Sequence, residues 1–239
     1  MGEATYDLIT DFARPDPALV ARAQPLYYCL IGGLVGPRQV MDAGIQTLDP
    51  NASPPWRVCG PAFTVRPEHP DDLLMSQIAG KYVKPGDVLV VDAVGSRMAA
   101  FGGSMANGIK TAGGAGIVID GYALTADVLR ARENIPVFCR GTVSISGEGT
   151  KPGWLNVPVI CGGVIVNPGD LILGDSDGVV VVPQAQIASV VAAIEAKNQP
   201  RSRDGSIEPR KADAPLYYKR SGAEDMVAKL VTDGKLTIK

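Results

Sequence analysis

Apolar positions along this chain fall into short runs broken by glycine, proline and polar clusters. That pattern predicts many short strands and a few helices. Asp16 and Pro17 open a first helix, one as cap and the other in the first turn. Residues 25–55 carry Gly32, Gly33, Gly36 and Pro37, so short elements are expected there. "RVCGPAFTVRP" (57–67) predicts a strand. "DDLLMSQIAGKY" (71–82) predicts a helix capped by Asp71 or Asp72. Residues 97–112 suit a helix, and the fully apolar "AGIVID" (115–120) suits a buried strand. "LTADVLRAR" (124–132) suits a helix with Thr125 as its cap, and "IPVFCRG" (135–141) a short strand. Residues 142–156 read as a polar loop, 158–166 and 177–183 as strands, and 183–198 as an amphipathic helix. Residues 199–215 read as a linker or arm before a last helix near 222–234.

One pattern occurs twice. "VKPGDVLVVDAVG" (83–95) and "VNPGDLILGDSDG" (166–178) share V-x-P-G-D, an aliphatic run and an Asp. Pro-Gly sets a tight turn, and the residues after it supply strand. Two similarly built turn–strand corners in one β-rich domain are expected. The elements divide the chain into an α/β domain over residues 1–198 and a C-terminal arm and helix over 199–239.

Composition adds exclusions. The chain has 239 residues and a net charge of −2, which gives no electrostatic case for a nucleic-acid partner. From Ala196 onward ten basic residues face six acidic ones, a mildly basic tail. Cys29, Cys59, Cys139 and Cys161 form no CxxC pair, so buried free thiols in a reducing cytoplasm are expected. With no apolar run near ~18 residues, no membrane partner is expected.

The glycine-rich stretch "GGSMANGIKTAGGAGIVIDGYALTADVL" (102–129) poses the chemical question. Its glycines match neither G-x-G-x-x-G nor a Walker loop, which disfavours a nucleotide. His69, between Glu68 and Pro70, has no evident catalytic partners. Asp92, Asp120, Asp127, Asp175 and Asp177 stand at or past strand ends, where ligands gather in α/β sheets and where aspartates also close turns. Asp120 closes a buried strand just before a glycine.

Together "KPGDVLVVDAVG", "GGSMA", "GAGIVIDG", "IPVFCRG" and "VNPGDLILGDSDGVVVVP", with "VCGPAFTV" and "DDLL" upstream, resemble the RraA-like family over residues 20–197. That family includes the 4-hydroxy-4-methyl-2-oxoglutarate aldolases, proteins labelled dimethylmenaquinone methyltransferases, and regulators that bind a ribonuclease. The resemblance implies an α/β/α sandwich with a β-barrel-like core, assembled as homo-trimers or hexamers. It implies a lyase, aldolase or decarboxylase, acting on a small oxoacid or related anionic carboxylate. The alternatives are metal-free isomerisation, hydration or hydrolysis in the same pocket, and a non-catalytic binding role. The family's aldolases carry a Gly, twenty residues, then Arg-Asp; the Arg grips the substrate and the Asp helps hold Mg²⁺ or Mn²⁺. Counted from Gly103, those places hold Leu124 and Thr125. A divalent metal is therefore doubtful here, and its ligands are unassigned. Gly103, Ser104 and Met105 are expected to offer backbone N–H groups to a carboxylate, with Asp120 and Lys151 as further binding residues. Arg97, Thr125, Asp127 and Arg140 are the catalytic candidates. A carboxylate of the arm, Glu208 or Glu224, could serve a neighbouring subunit.

Overall fold

The structure is a computed structural model, and it describes residues 6, 8–131, 134–196, 221–233, 235 and 236. The chain divides into a large unit within residues 1–205 and a small one within 206–239. The expected linker at 199–215 and Glu208 lie outside the described residues.

The large unit is built on β2 (Val58–Pro67), whose ten residues pair with three strands in turn. Its first residues pair antiparallel with β12 (Leu171–Asp175), Val58 to Pro61 facing Gly174 to Leu171. Its middle pairs parallel with β3 (Val88–Val91), and its end antiparallel with β9 (Gly153–Leu155). Beyond β3 the sheet continues through β5 (Gly116–Ile119) and β7 (Val137–Cys139), both parallel, to the short β1 (Gln46–Thr47). Beyond β12 it continues through β13 (Gly178–Val182), which meets Val40 in an isolated bridge. The sheet thus curls almost into a barrel.

Strand alternation sorts the side chains into layers. Val88, Val90, Val118, Phe138, Ile172 and Val181 point inward. A hairpin of β10 (Val159–Cys161) and β11 (Val164–Val166) fills that interior with Val159, Cys161, Val164 and Val166. Leu89, Val91, Ile117 and Ile119 point outward onto α3 (Leu74–Ala79) and α4 (Gly103–Thr111). Leu171, Leu173, Val180 and Val182 pack against α1 (Pro17–Ala23), α2 (Tyr28–Val35) and α6 (Ile187–Glu195). This is the expected α/β/α sandwich around a barrel-like core. Three more strands, β4 (Ala99–Phe101), β6 (Tyr122–Ala123) and β8 (Gly141–Thr142), form a small parallel sheet past the ends of β3, β5 and β7.

Both V-x-P-G-D corners adopt one geometry. Gly86 and Gly169 take φ of 89° and 87°, as a Pro-Gly type II turn requires. Each following aspartate folds back on its own turn: Asp87 Oδ2 accepts from Lys84 N–H, and Asp170 Oδ2 from Asn167 N–H, both at 2.8 Å. Asp87 also takes a two-pronged ion pair from Arg14, at 2.7 Å on each oxygen.

Residues 25–55 hold short elements as expected; among them the eight-residue α2 forms despite Gly32 and Gly33, because Tyr28, Ile31 and Gly32 are buried against the sheet and α6. Other expectations change. The helix expected over 97–112 gives its first residues to β4. The loop at 142–156 contains β9. The apolar run at 158–166 is a hairpin, because Gly162 and Gly163 take positive φ. Cys139 and Cys161 are buried, but Cys29 is exposed. In the small unit, α5 (Ala126–Leu129) having closed the α4–β7 connection in the large one, the last described helix is α7 (Ala223–Thr232), with Glu224 and Asp225 in its first turn, where carboxylates suit the helix dipole. Among the described residues no single helix is long and apolar enough to cross a membrane.

Gly60 lies where a Cβ would stand 2.0 Å from the carbonyl oxygen of Gly86. Backbone cannot swing away as a side-chain end can. Gly60→Ala is expected to destabilise the large unit by about 2–3 kcal/mol, seen as a lower urea midpoint at unchanged slope.

Candidate active site

The parallel strands end in a row of charges. Val65 faces Val91, and Val91 faces Ile119, so Arg66, Asp92 and Asp120 follow in register, with Arg140 just past β7. The row is fixed by main chain: Asp92 N–H donates to Val65 O and Asp120 N–H to Val91 O.

Asp120 is 1% exposed, and both its oxygens are used. Oδ1 accepts from Arg140 Nε at 2.5 Å, and Oδ2 from Gly162 N–H at 2.6 Å. Arg140 Nη1 donates at 2.8 Å to Asp42, a residue in the stretch 25–55 that no sequence signal marks. The cluster ties β5, β7, the 42–44 turn and the β10–β11 hairpin together. It joins two of the expected site residues, and it holds the Arg140 guanidinium between two carboxylates. Asp92 is half-buried next to this cluster. Burial first, and the charge of Asp120 after it, hold its carboxyl above the ordinary aspartate value, against the opposing pull of Ile160 N–H, Val94 N–H and Arg66. Burial pushes the Cys161 thiol well up, so it stays protonated.

The second cluster lies at the start of α4. Thr125 adopts a left-handed conformation, φ 56° and ψ 47°. It stands at the cap position of α5, as expected, but its side chain makes no bond there. Its hydroxyl turns to α4 and accepts from Gly103 N–H at 2.8 Å, while donating to Leu124 O at 2.6 Å. The turn has no room to spare. A Cβ on Gly102 would stand 3.3 Å from Leu124 Cγ, and one on Gly103 2.6 Å from Val128 Cγ1. The N–H groups of Ser104 and Met105 find no acceptor among the described residues, as is usual in a first helical turn. Leu124 and Thr125 thus stand uncharged where the aldolases carry Arg-Asp, with Leu124 and Val128 packed against the two glycines.

Among the described residues the other candidates make no side-chain hydrogen bond to either cluster. Asp127 is exposed in the first turn of α5, and Arg97 is exposed in the β3–β4 connection. Lys151 is exposed in a loop held by Asp72, whose Oδ2 accepts from the N–H groups of Thr150 and Lys151. His69 is exposed, 3.8 Å from Asp71.

A family model described as RraA-like, Aldolase/RraA, matches residues 31–181. A protein of Halalkalibacterium halodurans provisionally named 4-hydroxy-4-methyl-2-oxoglutarate aldolase is 36% identical over 198 residues, covering 82% of this chain and 86% of the relative. Among solved structures, Streptomyces coelicolor RraAS2, described as an unusual member of the RNase ES inhibitor RraA protein family, superposes with a TM-score of 0.68 at 32% identity, covering 79% of this chain and 96% of that one. The RNA-processing inhibitor RraA of a Thermus species superposes with a TM-score of 0.57 at 26% identity, covering 66% and 92%.

Two predictions follow from the charge row. Arg140→Met leaves Asp120 buried with only one hydrogen bond, and is expected to cost about 3 kcal/mol in urea denaturation. Asp92 binds its proton more tightly folded than unfolded, so its contribution to stability is present at acid pH and lost as pH rises through the carboxylate range. Asp92→Asn should accordingly raise the melting temperature at pH 7, with the gain shrinking toward pH 3.8, the ordinary aspartate value. The fold, the ordered motifs and the match over residues 31–181 place this chain in the RraA-like family.

Proposed function

We propose that this chain acts as a lyase on a small oxoacid, and that the bond it breaks is a decarboxylation rather than an aldol cleavage. The observation that carries the reading is the turn at Gly102–Met105. It keeps two open N–H groups at a helix N-terminus, while Thr125 occupies the third. Helix N-termini of this kind hold carboxylates and developing oxyanions.

Residues at the aldolase positions do not fit a divalent cation. Thr125 stands where the aldolases carry the metal-holding Asp, and its neutral hydroxyl already donates and accepts. Among the described residues no group of three His, Cys, Asp or Glu could hold a metal. The step is therefore derived from the chain's own groups. In a 3-carboxy-2-oxoacid the bond from C3 to the departing carboxylate breaks, and carbon dioxide leaves. The electron pair moves through C3–C2 onto the carbonyl oxygen, where the N–H groups of Ser104 and Met105 stabilise the enolate. A solvent proton then returns to C3. Aldol cleavage would also need a base for the substrate hydroxyl, and Thr125 and Leu124 supply none.

A second reading, a binding protein without catalysis, is favoured by the packing of Leu124 and Val128 over the two glycines. Assembly as a homo-trimer or hexamer belongs to either reading.

Oxaloacetate is expected to release pyruvate faster than its spontaneous rate, equally with EDTA and with Mg²⁺, while 4-hydroxy-4-methyl-2-oxoglutarate is not cleaved. No acceleration with either substrate favours the binding protein. Metal-dependent cleavage of the second substrate sinks the proposal. Leu124→Arg with Thr125→Asp should gain EDTA-sensitive pyruvate release.

A further inference from the structure

At the amino ends of the parallel strands, away from the α4 turn, lies a cleft of 1120 Å³. Val58, which opens β2, and Pro136, which precedes β7, line its floor. Its volume lies just above the usual range of small-molecule sites, about 300–1,000 Å³.

Two arginines reach it, Arg57 and Arg130, and each is held by a main-chain carbonyl instead of a carboxylate. Arg57 Nη2 donates to Leu26 O at 2.7 Å, and its guanidinium lies 4.1 Å over the ring of Tyr28. Arg130 Nε donates to Leu48 O at 3.1 Å. Among the described residues neither has a carboxylate within 4.0 Å, whereas Arg14, Arg22 and Arg140 are all paired. Arg57 Nε is buried without an acceptor among the described residues. Asp49 is the acidic residue in the lining, and it accepts from Asn51 N–H. Guanidinium groups fixed by carbonyls lose little freedom on gripping an anion, and keep donors to spare. The walls beside them are flat and apolar: Trp56, with Pro25, Pro54 and Pro55. Cys59 also lines the cleft, but burial pushes its thiol up to about 12, so it is no nucleophile. The cleft is equipped to bind, not to react.

We propose that this cleft is a second ligand site, separate from the α4 turn, for a small molecule that carries a phosphate or carboxylate beside a flat ring. The anion would sit between Arg57 and Arg130, and the ring against Trp56 and the prolines. Arg130 ends the short helix α5 that Thr125 begins, but neither Leu124 nor Thr125 lines the cleft, so the site stands or falls apart from the lyase reading.

Titration calorimetry with phenyl phosphate, benzoate, adenosine monophosphate and inorganic phosphate tests it. At least one ring-bearing anion should bind with a sub-millimolar Kd, ten-fold or more tighter than inorganic phosphate; benzoate against phenyl phosphate tells which acid is preferred. In a Trp154→Phe background the same ligand should shift the emission of Trp56. Arg57→Met and Arg130→Met should each raise Kd at least ten-fold while a cooperative melting transition persists. Should either fail to fold, Arg57→Lys and Arg130→Lys, which keep the charge but lose the fork, should still weaken binding. Leu124→Arg with Thr125→Asp should leave Kd unchanged. The proposal is overturned if no ring-bearing anion binds folded protein at millimolar concentration, or if binding ignores both arginines. It is also overturned if the arginine substitutions change only the mass by light scattering, for then a second copy of the chain covers the cleft.

Discussion

Everything in the large unit depends on how β2 shares its ten residues. A strand ordinarily serves one neighbour on each edge; β2 serves β12, β3 and β9 in succession along its length. The two Pro-Gly-Asp corners deliver two of those neighbours. Both press onto the same strand: Gly86 O lies against Gly60, and Asp170 O accepts from Ala62 N–H. One corner launches a parallel partner and the other an antiparallel one. The repeated motif is thus the pair of hinges by which a sheet becomes nearly a barrel, and the three side-chain layers follow from strand alternation once that curl is set.

The curl also divides the polar chemistry. At the carboxyl ends of the parallel strands Asp120 and Arg140 answer each other, with Asp42 and the Gly162 N–H completing the set. Such a cluster uses charge as mortar: it fixes where the hairpin meets the sheet. One layer further out, past β4 and β6, the α4 turn is uncharged and closely packed. Position at a strand end therefore does not by itself distinguish a residue that holds the fold from one that could hold a ligand; the number of free donors and acceptors does.

Much of the fold was legible because it is written locally. The Pro-Gly-Asp corners, the apolar β5 and the cap of α1 by Asp16 each need only a few adjacent residues. That Leu124 and Thr125 stand at the Arg-Asp spacing of the RraA-like aldolases is likewise readable from a count of residues. The rest was hidden where tertiary contacts outweigh propensity. Gly32 and Gly33 argue against a helix that burial of Tyr28 and Ile31 nonetheless holds. Asp42 comes to Arg140 from 98 residues away. Thr125 was legible as a cap, but its own helix is not the one it serves, because a left-handed backbone turns the hydroxyl back toward α4.

That left-handed backbone sets unequal terms for change at the two neighbouring positions. A β-branched residue is uncommon at such angles, whereas aspartate and asparagine visit them readily. Thr125 is thus kept against the preference of its own backbone, and what it offers in return is one hydroxyl directed at Gly103. An aspartate at 125 would relieve the main chain and could still accept that N–H. At 124 nothing comparable holds: an arginine would have to leave the close contact that leucine makes beside Gly102. The geometry leaves the carboxylate half of an Arg-Asp pair one easy step away, and the guanidinium half at the far side of a repacking.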